Sequence, residues 1–145
     1  MIKHVIETEI RRRPADVFSY LADVTKMTEW EPNTLRCQPI GDQALGPGSK
    51  AVQTFKMFGR QSDVTLTVVD YKLNHRLRFQ KNEPFPISFG WTLKTAREGT
   101  HVVYSAVLEP KGIFRLMALF MKSRILKQIE NDLASIKRNL EANAG

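Results

Sequence analysis

Two titratable side chains, Asp132 and Tyr104, lie where they could move a proton. Asp132 falls between Ile129 and Leu133 in a segment of helical period, within the apolar stripe but toward its edge. A carboxyl group in dry surroundings keeps its proton to higher pH, so Asp132 could act as a general base. Tyr104 shares one face of a predicted strand with apolar residues at period two, and its hydroxyl could polarise a ligand carbonyl. The alternatives are a rim carboxylate paired with Arg or Lys, and a tyrosine facing solvent.

No complete catalytic constellation accompanies these two groups. The histidines His4, His75 and His101 have neither another His nor a Glu at metal-ligand spacing nearby, so no metal site is predicted. Cys37 is the only cysteine, which removes internal disulfides and multi-cysteine metal sites. No nucleophile-elbow or phosphate-loop pattern occurs, and no cofactor is predicted.

Strands with one apolar face must position these groups. Residues 2–10 alternate with period two, and six further strands are predicted at 35–40, 49–58, 62–71, 76–81, 87–96 and 101–109. The short connections between the six favour a sequential antiparallel meander. Pro39, inside a short strand, indicates an edge position, and Gly90 indicates a bulge or a close backbone approach.

Two kinds of helical segment complete the pattern. Pro14 opens a short helix whose Val17, Phe18 and Leu21 share one face, and a second short turn is predicted from residue 25, ending before Pro32. After Gly112 a helical pattern continues to about residue 142. Its apolar stripe consists of Phe114, Ala118, Met121, Ile125, Ile129, Leu133, Ile136 and Leu140. A helix of this length must lay its stripe across a curved sheet, which predicts a single α+β domain spanning residues 1–145.

The segment PADVFSYLADVTKMTEWEP resembles the start of the START-like, or SRPBCC, superfamily, which includes the polyketide cyclase/dehydrase group. The matching positions are Pro14, Val17, Phe18, Asp23, Trp30 and Pro32. The turn LGPGSK and the closing LASIKRNLE resemble later parts of the same family. The resemblance implies the helix-grip fold, with a curved antiparallel sheet of about seven strands around the C-terminal helix. It also implies a hydrophobic cavity between sheet and helix, but no single activity.

Residues on the inward faces are then candidates to line this cavity. A filled core is the simple interpretation of any one of them, whereas the set as a whole, with the resemblance, favours a partly hollow interior. The candidate ligand-binding residues are Trp30, Gln53, Phe55, Met57, Phe79, Phe89, Trp91, Tyr104, Met121 and Ile125.

Composition and charge narrow the range of partners. The net charge of +7 comes from 22 basic and 15 acidic residues spread along the chain, without a basic tail or a nucleic-acid motif. Nucleic acid is therefore not the predicted partner. The N-terminus alternates apolar and polar residues instead of forming a signal-peptide core, so a cytoplasmic location is expected.

The start of the last helix carries large apolar residues that lie outside its apolar stripe. These are Ile113, Leu116, Leu119 and Phe120. At 100° per residue they point away from the stripe, and basic residues flank them, so contact with a membrane or a second subunit is predicted. The competing interpretation is burial under the loop 41–48.

The function predicted from these observations is binding of a hydrophobic small molecule, such as a lipid, quinone, polyketide or other ring compound. The alternatives are a polyketide cyclase or dehydratase that uses the same cavity, and a membrane-associated module resembling coenzyme Q-binding START-like proteins. Few catalytic residues would be needed for the enzyme, because holding a reactive chain in one shape supplies much of the rate.

Overall fold

Turn residues divide the chain into seven strands and three helices in a computed structural model, which describes residues 1–42, 44–57 and 59–143. The elements are β1 (Ile2–Ile10), α1 (Pro14–Ala22), a 3-10 helix (Val24–Glu29), β2 (Thr34–Pro39), β3 (Lys50–Met57), β4 (Arg60–Lys72), β5 (Arg76–Lys81), β6 (Ile87–Ala96), β7 (Gly99–Leu108) and α2 (Ile113–Ala142). The predicted strands shift by at most two residues. The predicted strand end at Phe58 lies outside the described residues.

All seven strands form one antiparallel sheet in the order β1-β7-β6-β5-β4-β3-β2. The predicted meander is therefore confirmed for β2 to β7, and β1 closes the sheet beside β7, with Ile2 opposite Leu108 and Ile10 opposite Thr100. β2 is an edge strand, which explains how it accommodates Pro39, a residue without a backbone N–H.

Because inward-facing and outward-facing side chains alternate along a strand, one face of every central strand is buried in the core. The predicted inward residues of β5, β6 and β7 are buried, as are Ala51, Gln53 and Phe55 of β3. Gly90 allows β6 to lie close to β5, because a Cβ atom there would collide with the carbonyl oxygen of Leu77. This is the close backbone approach that a glycine inside a strand indicates.

The long helix α2 has two differently packed halves. In its second half Ile129, Leu133, Ile136 and Leu140 are buried in the main core. Asn139 holds this half in place: its side-chain amide donates to Tyr20 Oη at 3.0 Å and to the carbonyl oxygen of Glu29 at 3.1 Å. In the first half the stripe is only partly covered, because it spans a hollow in the concave face of the sheet.

Among the residues described, no helix combines the length and the mean hydropathy of a membrane-spanning segment.

Candidate functional site

A cavity of about 480 Å³ lies between the concave face of the sheet and the first half of α2. Eight of the ten residues predicted to bind a ligand line it: Trp30, Gln53, Phe55, Met57, Phe89, Tyr104, Met121 and Ile125. Further apolar walls come from Met27, Phe85, Ile87, Ala106, Leu108, Phe114, Ala118 and Ile129. The volume falls within the range of pockets that hold small organic molecules.

The prediction that Phe79 and Trp91 line the cavity is wrong. Both are buried, with 1% and 3% of their surface exposed, yet neither reaches the cavity. Trp91 stacks on Tyr104 with ring centroids 5.3 Å apart and meets Trp30 edge-on at 5.5 Å. Phe79 stacks on Phe89 at 5.5 Å. Period two identifies the face on which a side chain lies, whereas its neighbours decide whether it touches the hollow, so these two rings form a layer behind the wall.

Asp132 on α2 and Tyr104 on β7 both line the cavity. Asp132 is 5% exposed and accepts a hydrogen bond from Gln128 Nε2 at 2.7 Å. It forms no ion pair with any residue that the structure describes, so it is not the paired rim carboxylate that the sequence also allowed. Burial, supported by the charge of Glu31, raises the pKa of Asp132 to about 8. Asp132 therefore carries a proton at neutral pH.

Tyr104 lies on the inner face and not toward solvent, as 3% exposure shows. Burial and the nearby carboxyl group of Asp132 raise the pKa of its phenol well above the ordinary value. Its hydroxyl therefore stays protonated at any physiological pH. Together Asp132 and Tyr104 present two neutral O–H groups to the cavity, which suit a carbonyl or hydroxyl oxygen of a ligand.

A further polar group that was not predicted from the sequence, Lys81, also lines the cavity. Lys81 is 4% exposed, and its Nζ donates to Gln53 Oε1 at 3.0 Å and sits 3.7 Å from the centroid of the Phe55 ring. Burial lowers the pKa of Lys81 to about 8, against smaller raising effects of Glu31 and Cys37. The signal was present in the sequence, since Lys81 continues the period-two series of Leu77 and Phe79.

The Gln53 amide is itself held by a chain of hydrogen bonds. Its Nε2 donates to Thr34 Oγ1 at 2.7 Å, and the Thr34 hydroxyl donates to Glu31 Oε2 at 2.7 Å. Glu31 also accepts the backbone N–H of Asn33 at 3.2 Å. The chain Lys81–Gln53–Thr34–Glu31 therefore links a cation to an anion through two neutral side chains.

Beside the cavity, the start of α2 carries an exposed apolar patch. Its members are Ile113, Leu116, Leu119 and Phe120, which are 68%, 55%, 76% and 84% exposed. Burial under the loop 41–48 is therefore wrong for these four side chains. Lys111, Arg115, Lys122 and Arg124 around them are also exposed, and Arg124 lines the cavity as well.

A curved antiparallel sheet that grips one long helix over an apolar cavity defines the helix-grip class of START-like proteins. Solved structures share it. The TTHA0849 protein of Thermus thermophilus has a TM-score of 0.77 at 15% identity, covering 99% of this chain and 100% of that one. The SA2116 protein of Staphylococcus aureus has a TM-score of 0.74 at 10% identity, with 97% and 94% covered. Ara h 8.0201 has a TM-score of 0.62 at 18% identity, with 92% and 98% covered.

These identities are low, so the structural likenesses show the fold alone. The sequence pattern of the family described as polyketide cyclase/dehydrase and lipid transport matches residues 1–141. The chain belongs to this family, as its resemblance to the superfamily implied. No curated protein sequence is a significant match.

Proposed function

We propose that this protein binds a hydrophobic small molecule, such as a lipid, quinone, polyketide or other ring compound, in the cavity under α2. The observation that carries the proposal is the cavity itself: about 480 Å³, with walls that are mostly apolar and carry a few polar groups at separate points. A filled core leaves few voids larger than a water molecule, so a mostly apolar hollow of this size is typical of a small-molecule site.

The direct test asks what accompanies the purified protein. Native mass spectrometry and solvent extraction should recover a hydrophobic compound in stoichiometric amount. Ala118→Phe, which places a ring in the cavity from α2, should abolish this retention. Ala134→Phe is the matched control, because Ala134 is exposed on the same helix. Equal recovery from both variants and the wild type would place the compound elsewhere and contradict the proposal.

A second candidate function is an enzyme of the cyclase or dehydratase type. Asp132 and Tyr104 favour it, because both offer a proton to the same hollow. With a polyketide-like substrate, the pH–rate profile should show an apparent pKa near that of Asp132 and lose it in Asp132→Asn. Full activity in both Asp132→Asn and Tyr104→Phe would leave the protein a carrier.

We infer that the apolar patch of Ile113, Leu116, Leu119 and Phe120 contacts an anionic membrane surface. Charge favours a membrane over a second copy: Lys111, Arg115, Lys122 and Arg124 flank the patch, and a second chain would bring the same positive charges. Apolar side chains bordered by basic ones are typical of helices that lie in a membrane interface. Because Arg124 lines both surfaces, docking would bring the cavity next to the lipid.

A further inference from the structure

Lys81 is a buried cation without an anionic partner. Among the residues described, it makes no ion pair, and its only hydrogen-bond acceptor is Gln53 Oε1. An ammonium group has three N–H donors, and removing it from water is costly unless those donors are satisfied. One donor meets Gln53, and the ring of Phe55 faces the charge from one side. The group lines the cavity, so a ligand can supply the missing acceptor.

The hydrogen-bond chain behind Lys81 fixes this arrangement. Because Gln53 Nε2 donates to Thr34, its Oε1 must face Lys81, and the amide cannot flip without losing both bonds. Thr34 is in turn fixed by its donation to Glu31. Lys81 reaches over β4 from β5 to contact Gln53 and Phe55 on β3, which places its Nζ on the concave face. The ammonium group is preorganised for an occupant of the cavity.

Other charged groups of the cavity do not take this role. Lys56 and Arg124 line it but are exposed, so water screens them. Asp132 and Tyr104 hold their protons at neutral pH and act as donors. Cys37, which also faces Lys81, is a neutral thiol, since burial raises its pKa to about 11. The carboxylate of Glu31 is engaged with Thr34 and Asn33.

We propose that Lys81 binds an anionic oxygen of the ligand, so that the cavity selects amphipathic acids: an apolar body bearing a carboxylate, enolate or phenolate. This inference rests on the proposed binding function and names its ligand class. The acidic head would meet Lys81, and the body would lie against the apolar walls under α2.

The test compares two probes of equal length, decanoate and 1-decanol, by calorimetry at pH 7. Decanoate should bind at least about tenfold more tightly, the ratio expected of one charge-assisted hydrogen bond. Lys81→Met should lose this preference. Lys72→Met, at an exposed position of β4, is the matched control and should keep it.

The pH dependence of the preference for decanoate can be measured on the wild-type protein, so that the test does not depend on whether Lys81→Met folds. Between about pH 6.5 and 9.5 the ammonium group of Lys81 loses its proton as pH passes about 8, so the preference for decanoate should fall by about tenfold. Asp132 becomes charged over the same range, so the same fall should be found in Asp132→Asn, in which that group cannot titrate. Equal affinities at pH 7, a pH-independent preference, or a preference kept in Lys81→Met would overturn the inference while binding itself stands. If neither probe binds, the inference is overturned, and the recovery of a compound with the purified protein decides separately whether the binding function stands.

Discussion

Asp132 is a carboxyl group in a wall made mostly of hydrocarbon, and its position has a consequence for stability. In the folded protein its pKa is about 8, against the ordinary 3.8. Between about pH 4 and pH 8 the unfolded chain has lost a proton that the folded chain retains. The free energy of unfolding therefore falls as pH rises through this window, by about 1.4 kcal/mol per pH unit at most.

Asp132→Asn should remove this dependence, because the amide resembles the protonated acid and does not titrate. Relative to wild type, the variant should gain stability from about pH 4 to pH 8, by several kcal/mol in total, measured by urea unfolding at each pH. Asp42→Asn, at an exposed position, is the control and should follow the wild type. Parallel profiles for Asp132→Asn and wild type would show that the carboxyl is ionised when folded.

At the residue scale, the sequence predicted most of the side chains that line the cavity, but not which inward-facing side chains lie behind others. Tyr104 and Gln53 face inward because alternation along β7 and β3 is regular. Trp91 shares a face with Phe89, yet Trp30 and Tyr104 cover it, and contacts between distant elements are not readable from period. Lys81 was missed because lysine is seldom buried without a partner, although its register was the correct one.

At the scale of elements, the pairing of β5 with β6 depends on Gly90. An added Cβ would collide with the carbonyl oxygen of Leu77 and lie 2.8 Å from Arg78 Cα, and this backbone cannot turn away as a side chain could. Gly90→Ala should therefore lower the free energy of unfolding by about 1–3 kcal/mol or more, as seen in thermal or urea unfolding.

Gly46→Ala is the matched control for this prediction, since a Cβ there would meet no atom within 4 Å. It should change stability by less than about 1 kcal/mol. Equal stability of the two variants would mean that β6 can move away from β5 at no cost.

The elements themselves were largely predictable, for physical reasons that differ between them. β5 and β6 begin and end where predicted, because turn residues bracket them. The course of α2 followed from an apolar stripe at regular steps, but the two ways in which its halves pack did not. That difference arises from the cavity, whose existence depends on side chains from β3, β5, β6, β7, the 3-10 helix and α2 at once.

At the scale of the whole molecule, the net positive charge and the apolar patch should both contribute to binding at an anionic membrane surface. With a net charge of +7, the protein should sediment with anionic liposomes at low salt and much less at about 0.5 M salt, as expected when screening shortens the range of attraction. Neutral liposomes should bind weakly, because a patch of four side chains supplies only part of the free energy.

Replacing Leu119 and Phe120 with Ser should abolish the sedimentation, whereas Val69→Ser, at an exposed apolar position of β4, should not. Light scattering in parallel reports on self-association. If wild type forms dimers that the double variant does not, a second copy covers the patch and the membrane inference is wrong. Unchanged sedimentation of the double variant would mean that charge alone holds the protein to lipid.

Neither outer strand of the sheet, β2 or β1, offers an uninterrupted edge for pairing with another chain. This affects the tendency of the protein to aggregate at high concentration. β2 has a register shift between Thr34 and Arg36 and ends at Pro39. On the other side, α2 lies along β1: Lys137 Nζ donates to the carbonyl oxygen of Glu9 at 2.5 Å, and Glu141 accepts the backbone N–H of Arg11 at 3.0 Å. Free strand edges are templates for pairing with other chains, and these features interrupt both of them. A protein that keeps a hollow, incompletely packed interior is thereby guarded against edge-to-edge aggregation.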